Sequence, residues 1–269
     1  MKPIAVVSLV EEYTRREHID HLFAQQVLDF DYFNAINKQQ IDATLQKHEL
    51  NVNTDKVSLG ETACYLSHYC LWQQVIDNDM PYLMVFEDDI YFSKHAKVLL
   101  SDFDWLPPNF DVVKLETMYG RVMIDKGVPL LAEHKLCRMK SRHMGMAGYI
   151  ISQVGAKKLV ALTKSLGIDR PVDHIMFDDL IDQKKSAMYQ VVPAICIQDK
   201  ILDMQSERFA SCLEHERQSR PVKKIKLTQA QKVNRELARL WKQLGVVALS
   251  HSLRLTIKGY KKKKITYPE

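Results

Sequence analysis

The sequence predicts an α/β protein built on a sheet whose neighbouring strands are mainly parallel. Two continuous apolar runs, "PIAVVSL" (3–9) and "YLMVFED" (82–88), are typical of strands buried on both faces. A long helical pattern, "SLGETACYLSHYCLWQQVI" (58–76), lies between them. Strands that alternate with helices favour βαβ units and hence a parallel sheet. The 269 residues, 46% of them hydrophobic, are enough for one large domain, or for one domain with an appendage.

The other elements follow from the same patterns. After the first strand, Thr14 is predicted to cap a helix over 15–27, where apolar residues recur at helical spacing. "DYFNAI" (31–36) is predicted as the second strand, ahead of the helix at 58–76. The later elements are predicted as strands at 82–88, 110–116, 146–152 and 189–199, and as helices at 155–166 and 171–183.

Several protein classes are excluded by what the sequence lacks. There is no GxGxxG, which argues against a dinucleotide fold, and no GxxxxGK[ST], which argues more firmly against a P-loop ATPase. The sequence has no apolar run of about 18 residues, so we predict no membrane-spanning helix. The apolar run at 4–10 is too short for a secretory leader. The five cysteines form no CxxC pair, which favours reduced thiols in a cytoplasm over a disulfide framework or a zinc site.

The charge of the chain is unevenly distributed. The net charge is +5, but residues 221–269 hold thirteen basic and two acidic residues, which leaves the rest of the chain acidic. We therefore predict a body at 1–220 and a basic helical appendage at 221–269. An amphipathic helix is expected over 228–255, with an apolar stripe of Val233, Leu237, Leu240, Trp241 and Leu244. Such a helix suits an anionic membrane surface or a place against the body. A nucleic-acid partner is not expected, because no recognisable module interleaves these cations with aromatic residues.

Three consecutive acids, Glu87, Asp88 and Asp89, stand at the end of the predicted strand at 82–88 and precede another apolar run. Carboxylates are costly to bury without partners, so they lie on a solvated turn or bind something positive. In an extended segment Glu87 and Asp89 point the same way. Carboxylate oxygens at the carboxyl end of a strand suit Mn²⁺ or Mg²⁺, either of which would neutralise a departing diphosphate.

Five blocks in order resemble glycosyltransferase family 25, the lipopolysaccharide and lipooligosaccharide galactosyltransferase family. The blocks are "VVSLVEEYTRR", "YFNAI", "LGETACYLSHYCLW", "MVFEDDI", and "MAGYIISQVGAKKL" followed by "PVDHIM". The resemblance implies a GT-A type fold, that is, a Rossmann-type mixed sheet flanked by helices. It also implies a nucleotide-sugar donor and transfer with inversion at the anomeric carbon.

The resemblance also implies roles for individual residues. The expected donor-binding residues are Val7, Ser8, Leu9, Arg15, Ala35, Ile36, Asn37, Glu61, Ser67, His68, Glu87 and Asp88. Glu87 is expected to approach the ribose and Asp89 to bind the metal, with Gln198 or Asp199 as a further ligand. Arg15 and Arg16 are expected to contact the diphosphate, since guanidinium groups match phosphate oxygens. The alternatives are a solvated helical turn for these arginines and a core histidine for His68.

An inverting transfer needs a base that takes the proton from the acceptor hydroxyl. Asp173, matched to an acid on the family's acceptor side, is the candidate base. Glu116 at the end of a strand is the runner-up, and Asp178 is the third choice. The alternative for Asp173 is a first-turn acid that the helix dipole favours.

The leading hypothesis is therefore a metal-assisted, inverting glycosyltransferase that moves galactose from UDP-galactose to a lipid-linked lipooligosaccharide acceptor. Its expected location is the cytoplasm, on the cytoplasmic face of the inner membrane. The competing enzyme hypothesis is a metal-dependent phosphohydrolase of nucleotide sugars. The non-enzymatic alternative is a binding protein for nucleotide sugars or the membrane surface.

Overall fold

The computed structural model describes residues 3–206, 208–209 and 255–268. The predicted domain boundary at 220 and almost all of the predicted amphipathic helix lie outside these residues. That part of the domain organisation therefore stays a prediction.

The described residues contain twelve strands, seven α-helices with both ends described, and three further helical residues at 255–257. The strands are β1 Ile4–Ser8, β2 Asp31–Asn34, β3 Tyr82–Glu87, β4 Ile90–Phe92, β5 Val112–Lys114, β6 Arg121–Ile124, β7 Val128–Pro129, β8 Lys135–Arg138, β9 Gly148–Ser152, β10 Met188–Val192, β11 Cys196–Gln198 and β12 Lys261–Lys264. The helices are α1 Tyr13–Gln26, α2 Ile41–His48, α3 Leu59–Asp77, α4 Ala96–Leu100, α5 Gln153–Leu166, α6 Val172–His174 and α7 Asp199–Leu202. A 3₁₀ turn, Lys38–Gln40, precedes α2, and a π-helix, Ile175–Leu180, continues α6.

Eight strands form one mixed sheet in the order β2-β1-β3-β9-β5-β10-β8-β7. The predicted α/β class and the mixed sheet flanked by helices are confirmed. The narrower prediction of mainly parallel neighbours is wrong, because β9 runs antiparallel between β3 and β5, and β8 and β7 are antiparallel at one edge. A strand buried on both faces has the same continuous apolar pattern whichever way it runs, so this pattern does not reveal direction.

Alternate residues of the central strands enter two separate cores. On β3, Leu83 and Val85 pack on the face covered by α2, α3 and α5, whereas Met84 and Phe86 pack on the face covered by α1 and α4. This alternation follows from the two-residue period of a strand. Helices therefore cover both faces, and the carboxyl ends of β1, β2 and β3 meet at one edge.

The two helices nearest that edge begin differently. Ser58 caps α3: its hydroxyl accepts from the amide of Glu61, and the Glu61 carboxylate accepts from the amide of Ser58. The predicted cap at Thr14 is wrong. The helix α1 begins at Tyr13, so Thr14 lies within its first turn, and the residue at the cap, Glu12, makes no side-chain capping bond.

Two other predicted elements are divided in the structure. The predicted helix at 171–183 is a short α6 that continues as the π-helix up to Leu180. The predicted strand at 189–199 is two strands, β10 and β11, which belong to different sheets. Every helix in the described part of the chain is too short or too polar to cross a bilayer.

The described end of the chain packs on the body. Strand β12 pairs antiparallel with β6, and Ile265 beyond it is fully buried in the core on the α3 side. The hydroxyl of Thr117 donates to the carbonyl of Ile265 at 2.8 Å. Within the part of the predicted appendage that the structure describes, residues 255–257 are helical and Lys261–Lys264 form β12, whose four lysine side chains are exposed.

Candidate active site

A cavity of about 470 Å³ opens where β1, β2 and β3 end, the edge at which open α/β sheets bind ligands. Most of the predicted site residues surround it. Those on its lining are Val7, Ser8, Leu9, Arg15, Ala35, Ile36, Asn37, Ser67, His68, Glu87, Asp88 and Asp89. The structure thus brings together eleven of the twelve predicted donor-binding residues and the predicted metal ligand.

Glu61 is the predicted donor-binding residue that the lining does not include. It is buried, and its carboxylate closes the capping box of α3. Ser67, by contrast, lines the cavity and connects its walls, because its hydroxyl accepts from the amide of Ile36 and donates to the carbonyl of Ala63. It thereby ties the loop after β2 to α3.

The two arginines of α1 have different partners. Arg15 donates to Asp88 Oδ1 at 2.6 Å and lies 3.8 Å from Asp89 Oδ2, inside the cavity. Arg16 instead donates to the carbonyls of Leu9 and Ser8, and so is engaged by the backbone at the end of β1. The expected diphosphate contact therefore fits the position of Arg15 and not that of Arg16.

The acid cluster divides as the two-residue period of a strand predicts. Asp88 points to Arg15, whereas Glu87 and Asp89 share a partner, the side-chain amide of Gln198. That amide nitrogen donates to Glu87 Oε2 at 2.9 Å and to Asp89 Oδ1 at 3.3 Å. Gln198 ends β11 and lines the cavity, and only its position after a late strand suggested it in the sequence.

Burial and mutual repulsion perturb these two carboxyl groups. Burial, helped by Glu116 and Asp88, raises the pKa of Glu87 to about 8. Burial, helped by Glu87, raises the pKa of Asp89 to about 7. The positive charge of Arg15 opposes both shifts without cancelling them. Both carboxyl groups therefore retain protons near neutral pH. A further cation is required to stabilise their charged forms.

The donor set fits a hard divalent cation. Carboxylate oxygens of Glu87 and Asp89 both contact the side-chain amide of Gln198. That amide also carries an oxygen, which is a further potential ligand. Such ligands suit Mg²⁺ or Mn²⁺. Asp199, the other suggested ligand, is buried away from the cavity lining and accepts from the hydroxyls of Ser206 and Tyr91.

His68 reaches the cavity from a fully buried position on α3. Its Nδ1 lies 2.9 Å from the hydroxyl of Tyr149, which also accepts from the indole N–H of Trp72 at 3.1 Å. Its Nε2 lies 3.5 Å from Glu87 Oε1. Burial lowers the pKa of His68 to about 4, so the ring is neutral at physiological pH. His68 is therefore both a core residue and a cavity residue.

Glu116 and Asp173, the two base candidates, meet at Gly145, and neither is among the residues that line the cavity. Glu116 is fully buried, and its Oε1 accepts from Lys114 Nζ at 2.9 Å and from the amide of Ala147 at 2.8 Å. Asp173 Oδ2 accepts from the amide of Gly145 at 3.3 Å. A Cβ on Gly145 would lie 2.9 Å from Glu116 Oε1, and the φ of +97° at this residue also favours glycine. Both acids also act electrostatically on Glu87 and on His68.

The free oxygens of the two acids distinguish them from Asp178. Among the described residues, Glu116 Oε2 and Asp173 Oδ1 are buried and have no hydrogen-bond partner. Asp178 is engaged by His174 Nδ1 at 2.7 Å and by the exposed Arg142. The structure therefore brings the first two base candidates together and leaves the third in a surface ion pair.

Sequence reasoning missed Lys114 and Tyr149. Lys114 is completely buried and donates to Glu116 and to the carbonyls of Met144 and Gly145. Tyr149 holds the ring of His68 from β9. A lysine inside the apolar strand run "DVVKLE" was the available signal for the first, because a buried charge requires a partner.

Comparison with known proteins agrees on one family. The sequence model of glycosyltransferase family 25 (LPS biosynthesis protein) matches residues 1–176. The chain is 32% identical to a protein of Haemophilus influenzae described as a putative glycosyltransferase, over 87% of this chain and 83% of that protein. It is 31% identical to the lipooligosaccharide biosynthesis protein lic2B of Haemophilus influenzae, over 90% of this chain and 95% of the relative.

A third relative is the lacto-N-neotetraose biosynthesis glycosyltransferase LgtB of Neisseria meningitidis serogroup B. It is 31% identical over 79% of this chain and 82% of its own length. A solved glycosyltransferase involved in the glycosylation of the major capsid of PBCV-1 aligns with 76% of this chain and 94% of its own, at 9% identity and a TM-score of 0.41.

Proposed function

The chain belongs to glycosyltransferase family 25, and from this premise we propose that it transfers galactose from UDP-galactose to a lipooligosaccharide or lipopolysaccharide core acceptor. Transfer inverts the anomeric carbon and is assisted by Mn²⁺ or Mg²⁺. The curated relatives support the saccharide class of the acceptor, since one is a lipooligosaccharide biosynthesis protein and another a lacto-N-neotetraose biosynthesis glycosyltransferase.

The observation that carries the proposal is the charge arrangement of the cavity. Glu87 and Asp89 are partly buried carboxyl groups whose pKa values are raised, so their charged forms require a cation, and Arg15 lies 3.8 Å from Asp89. A nucleoside diphosphate has the same requirement, because its phosphates need cations. A divalent ion held by Glu87 and Asp89 would satisfy both groups, and the Arg15 guanidinium adds a positive charge beside them.

Each group has a part in the transfer. Asp89 and Glu87 would hold the ion, which supplies neutralisation of the departing UDP. Arg15, oriented by Asp88, faces the same diphosphate. The neutral ring of His68 fills the cavity wall without adding charge beside the sugar.

Asp173 is the proposed base, with Glu116 beside it. An inverting base must have a free oxygen that reaches the acceptor hydroxyl. Asp173 Oδ1 is buried and has no hydrogen-bond partner among the described residues, and the residue as a whole is partly exposed. Glu116 is fully buried, and its Oε1 is already bound to Lys114 and Ala147. Glu116 is better placed to position the Gly145 loop that contacts Asp173.

Release of UDP tests these assignments. The purified chain is incubated with a panel of UDP-sugars, with and without a lipooligosaccharide acceptor, Mn²⁺ and a chelator. We expect UDP release that requires UDP-galactose, the acceptor and the metal, and a kcat at least about 100-fold lower for Asp173→Asn. Asp169→Asn is the matched control, because Asp169 forms surface ion pairs with Lys56 and Arg170. Near-normal turnover in Asp173→Asn contradicts the assignment of the base, and UDP release without acceptor favours the phosphohydrolase.

A membrane surface is the proposed partner of the basic end of the chain, on the cytoplasmic face of the inner membrane. All four lysines of β12 are exposed on one edge of the body, next to the segment that follows Glu116. Exposed lysines attract anionic lipid headgroups. Flotation with anionic vesicles, absent with neutral vesicles and weakened when Lys261–Lys264 are replaced by glutamine, is the expected result. Equal binding to both kinds of vesicle contradicts it.

A further inference from the structure

Three side chains of different chemistry converge within the cavity. Cys64 and His68 lie one helical turn apart on α3, and Glu87 ends β3 opposite them. One potential ligand atom from each of the three lies within 4.8 Å of the other two. We propose that Cys64, His68 and Glu87 bind one Zn²⁺ ion, at a site that shares Glu87 with the proposed Mn²⁺ or Mg²⁺ site and adds a thiol and an imidazole ligand.

The backbone predetermines this convergence. Residues four apart on a helix project from the same face, so Cys64 and His68 point together toward the sheet. Glu87 is the last residue of β3, where the chain leaves the sheet at the cavity. Zinc–ligand bonds are about 2.0–2.3 Å long, so ligand atoms within 4.8 Å of one another need to approach by about 1 Å to surround one ion.

The state of the His68 ring is the second observation. Its Nε2 is completely buried, has no hydrogen-bond partner among the described residues and faces Glu87 Oε1 at 3.5 Å. Its other nitrogen, Nδ1, is held at 2.9 Å by the hydroxyl of Tyr149, which the Trp72 indole fixes in turn. A ring oriented through one nitrogen, with the other presented to a thiol and a carboxylate, is the usual arrangement of a metal-binding histidine.

The charge and the chemical type of the three ligands favour Zn²⁺. A thiolate and a carboxylate neutralise a divalent cation, and Glu116 and Asp173 add negative potential at His68. Sulfur and imidazole ligands favour Zn²⁺ over Mg²⁺ or Mn²⁺. Three protein ligands leave the fourth position of a tetrahedral ion open to the cavity.

The site has a consequence for the proposed function. All three ligands line the cavity assigned to the sugar nucleotide, so bound Zn²⁺ and the donor would compete for the same space. This consequence rests on the proposed function, whereas binding of the ion does not. Metal binding is therefore tested without nucleotide.

The test uses the full chain, reduced and stripped of metal. Zn²⁺ is titrated in competition with a chromophoric chelator, and Co²⁺ is added to a second sample to detect the thiolate-to-metal charge-transfer band. We expect one Zn²⁺ per chain and a clear band with Co²⁺. Cys64→Ser should abolish the band and weaken Zn²⁺ binding at least about tenfold. Cys70→Ser is the matched control, because Cys70 lies on the same helix, half-buried, 3.8 Å from His48.

A second measurement on the native protein applies even if Cys64→Ser fails to fold. The rate at which each cysteine is alkylated is followed by mass spectrometry of its peptide, with and without Zn²⁺. We expect Zn²⁺ to slow alkylation of Cys64 at least about tenfold and to leave Cys70 unchanged. The proposal is overturned if Co²⁺ gives no thiolate band, if the band survives in Cys64→Ser, or if Zn²⁺ protects Cys70 and Cys64 alike.

Discussion

Replacing Glu87 by glutamine is expected to flatten the pH dependence of stability in the metal-free protein. The folded-state pKa of Glu87 is about 8, against an ordinary value of 4.5. The folded protein therefore binds this proton more tightly than the unfolded chain does. Its contribution to stability is fully present below the unfolded pKa and is lost as the pH rises through 8.

The size of the effect follows from the two raised pKa values. Between pH 6.5 and 8.5, a shift to 8 at Glu87 removes about 2 kcal/mol of unfolding free energy, and a shift to 7 at Asp89 removes about 1 kcal/mol. About a fifth of the Glu87 side chain is exposed, and screening there reduces its share to about 1–2 kcal/mol. His68 and His143 have pKa values lowered to about 4 and about 3, so the unfolded chain binds more protons at these residues near pH 6.5. Each therefore adds about 0.4 kcal/mol of stability between pH 6.5 and 8.5 and offsets part of the loss.

Urea unfolding at pH 6.5 and 8.5, in a chelator, measures the difference. The wild-type chain should be less stable at pH 8.5 by about 1–2 kcal/mol, and Glu87→Gln should lose at least half of that difference. Saturating Mn²⁺ should also reduce it in the wild type, because the ion stabilises the charged carboxylates. Equal stability of the wild type at both pH values, or greater stability at pH 8.5, would refute the raised pKa values. It would also refute the inference that the charged carboxylates require a cation.

Three other substitutions test single contacts of the site. Lys114→Met leaves the Glu116 carboxylate buried without its partner and should lower the unfolding free energy by about 3–5 kcal/mol in urea; a loss below 1 kcal/mol contradicts the buried pair. Arg15→Lys keeps the charge but loses the guanidinium contact with Asp88, and should raise the KM for the donor about tenfold or more with little change in stability; an unchanged KM removes Arg15 from the donor site. Tyr149→Phe removes the partner of two buried ring nitrogens and should cost about 1–3 kcal/mol; an unchanged melting temperature argues against that network.

Local patterns predicted that many of the residues lining the cavity come together. Continuous apolar runs identified β1, β2 and β3, and their carboxyl ends had to share one edge of a sheet. The two-residue period of a strand also predicted that Glu87 and Asp89 would share a face, as they do around Gln198. These inferences depend only on sequence neighbours.

Contacts between distant segments were not predictable in the same way. Gln198 lies 111 residues beyond Glu87 in the chain, and the sheet order alone brings β11 beside β4. The partners of Glu116 come from three separate segments, at Lys114, Gly145 and Ala147. The antiparallel insertion of β9 between β3 and β5 creates that junction, and no local pattern specifies the direction of a doubly buried strand.

One structural role could have been identified from the sequence. Ser58 and Glu61 have the spacing S-x-x-E that begins many helices with a reciprocal cap. That pattern predicts the place of Glu61 at the start of α3. The family resemblance instead led to a donor-binding role, because a motif position does not distinguish a residue that holds the helix from one that faces the ligand.

The most direct test is whether binding of UDP-galactose requires a divalent cation at Asp89. Titration of UDP-galactose into the wild-type chain and into Asp89→Asn, with Mn²⁺ and with a chelator, measures this in one calorimetric experiment. Binding to the wild type that needs Mn²⁺, and at least about tenfold weaker binding to Asp89→Asn, is the predicted result. Donor binding that is the same with Mn²⁺ and with chelator, or the same in Asp89→Asn, would contradict it.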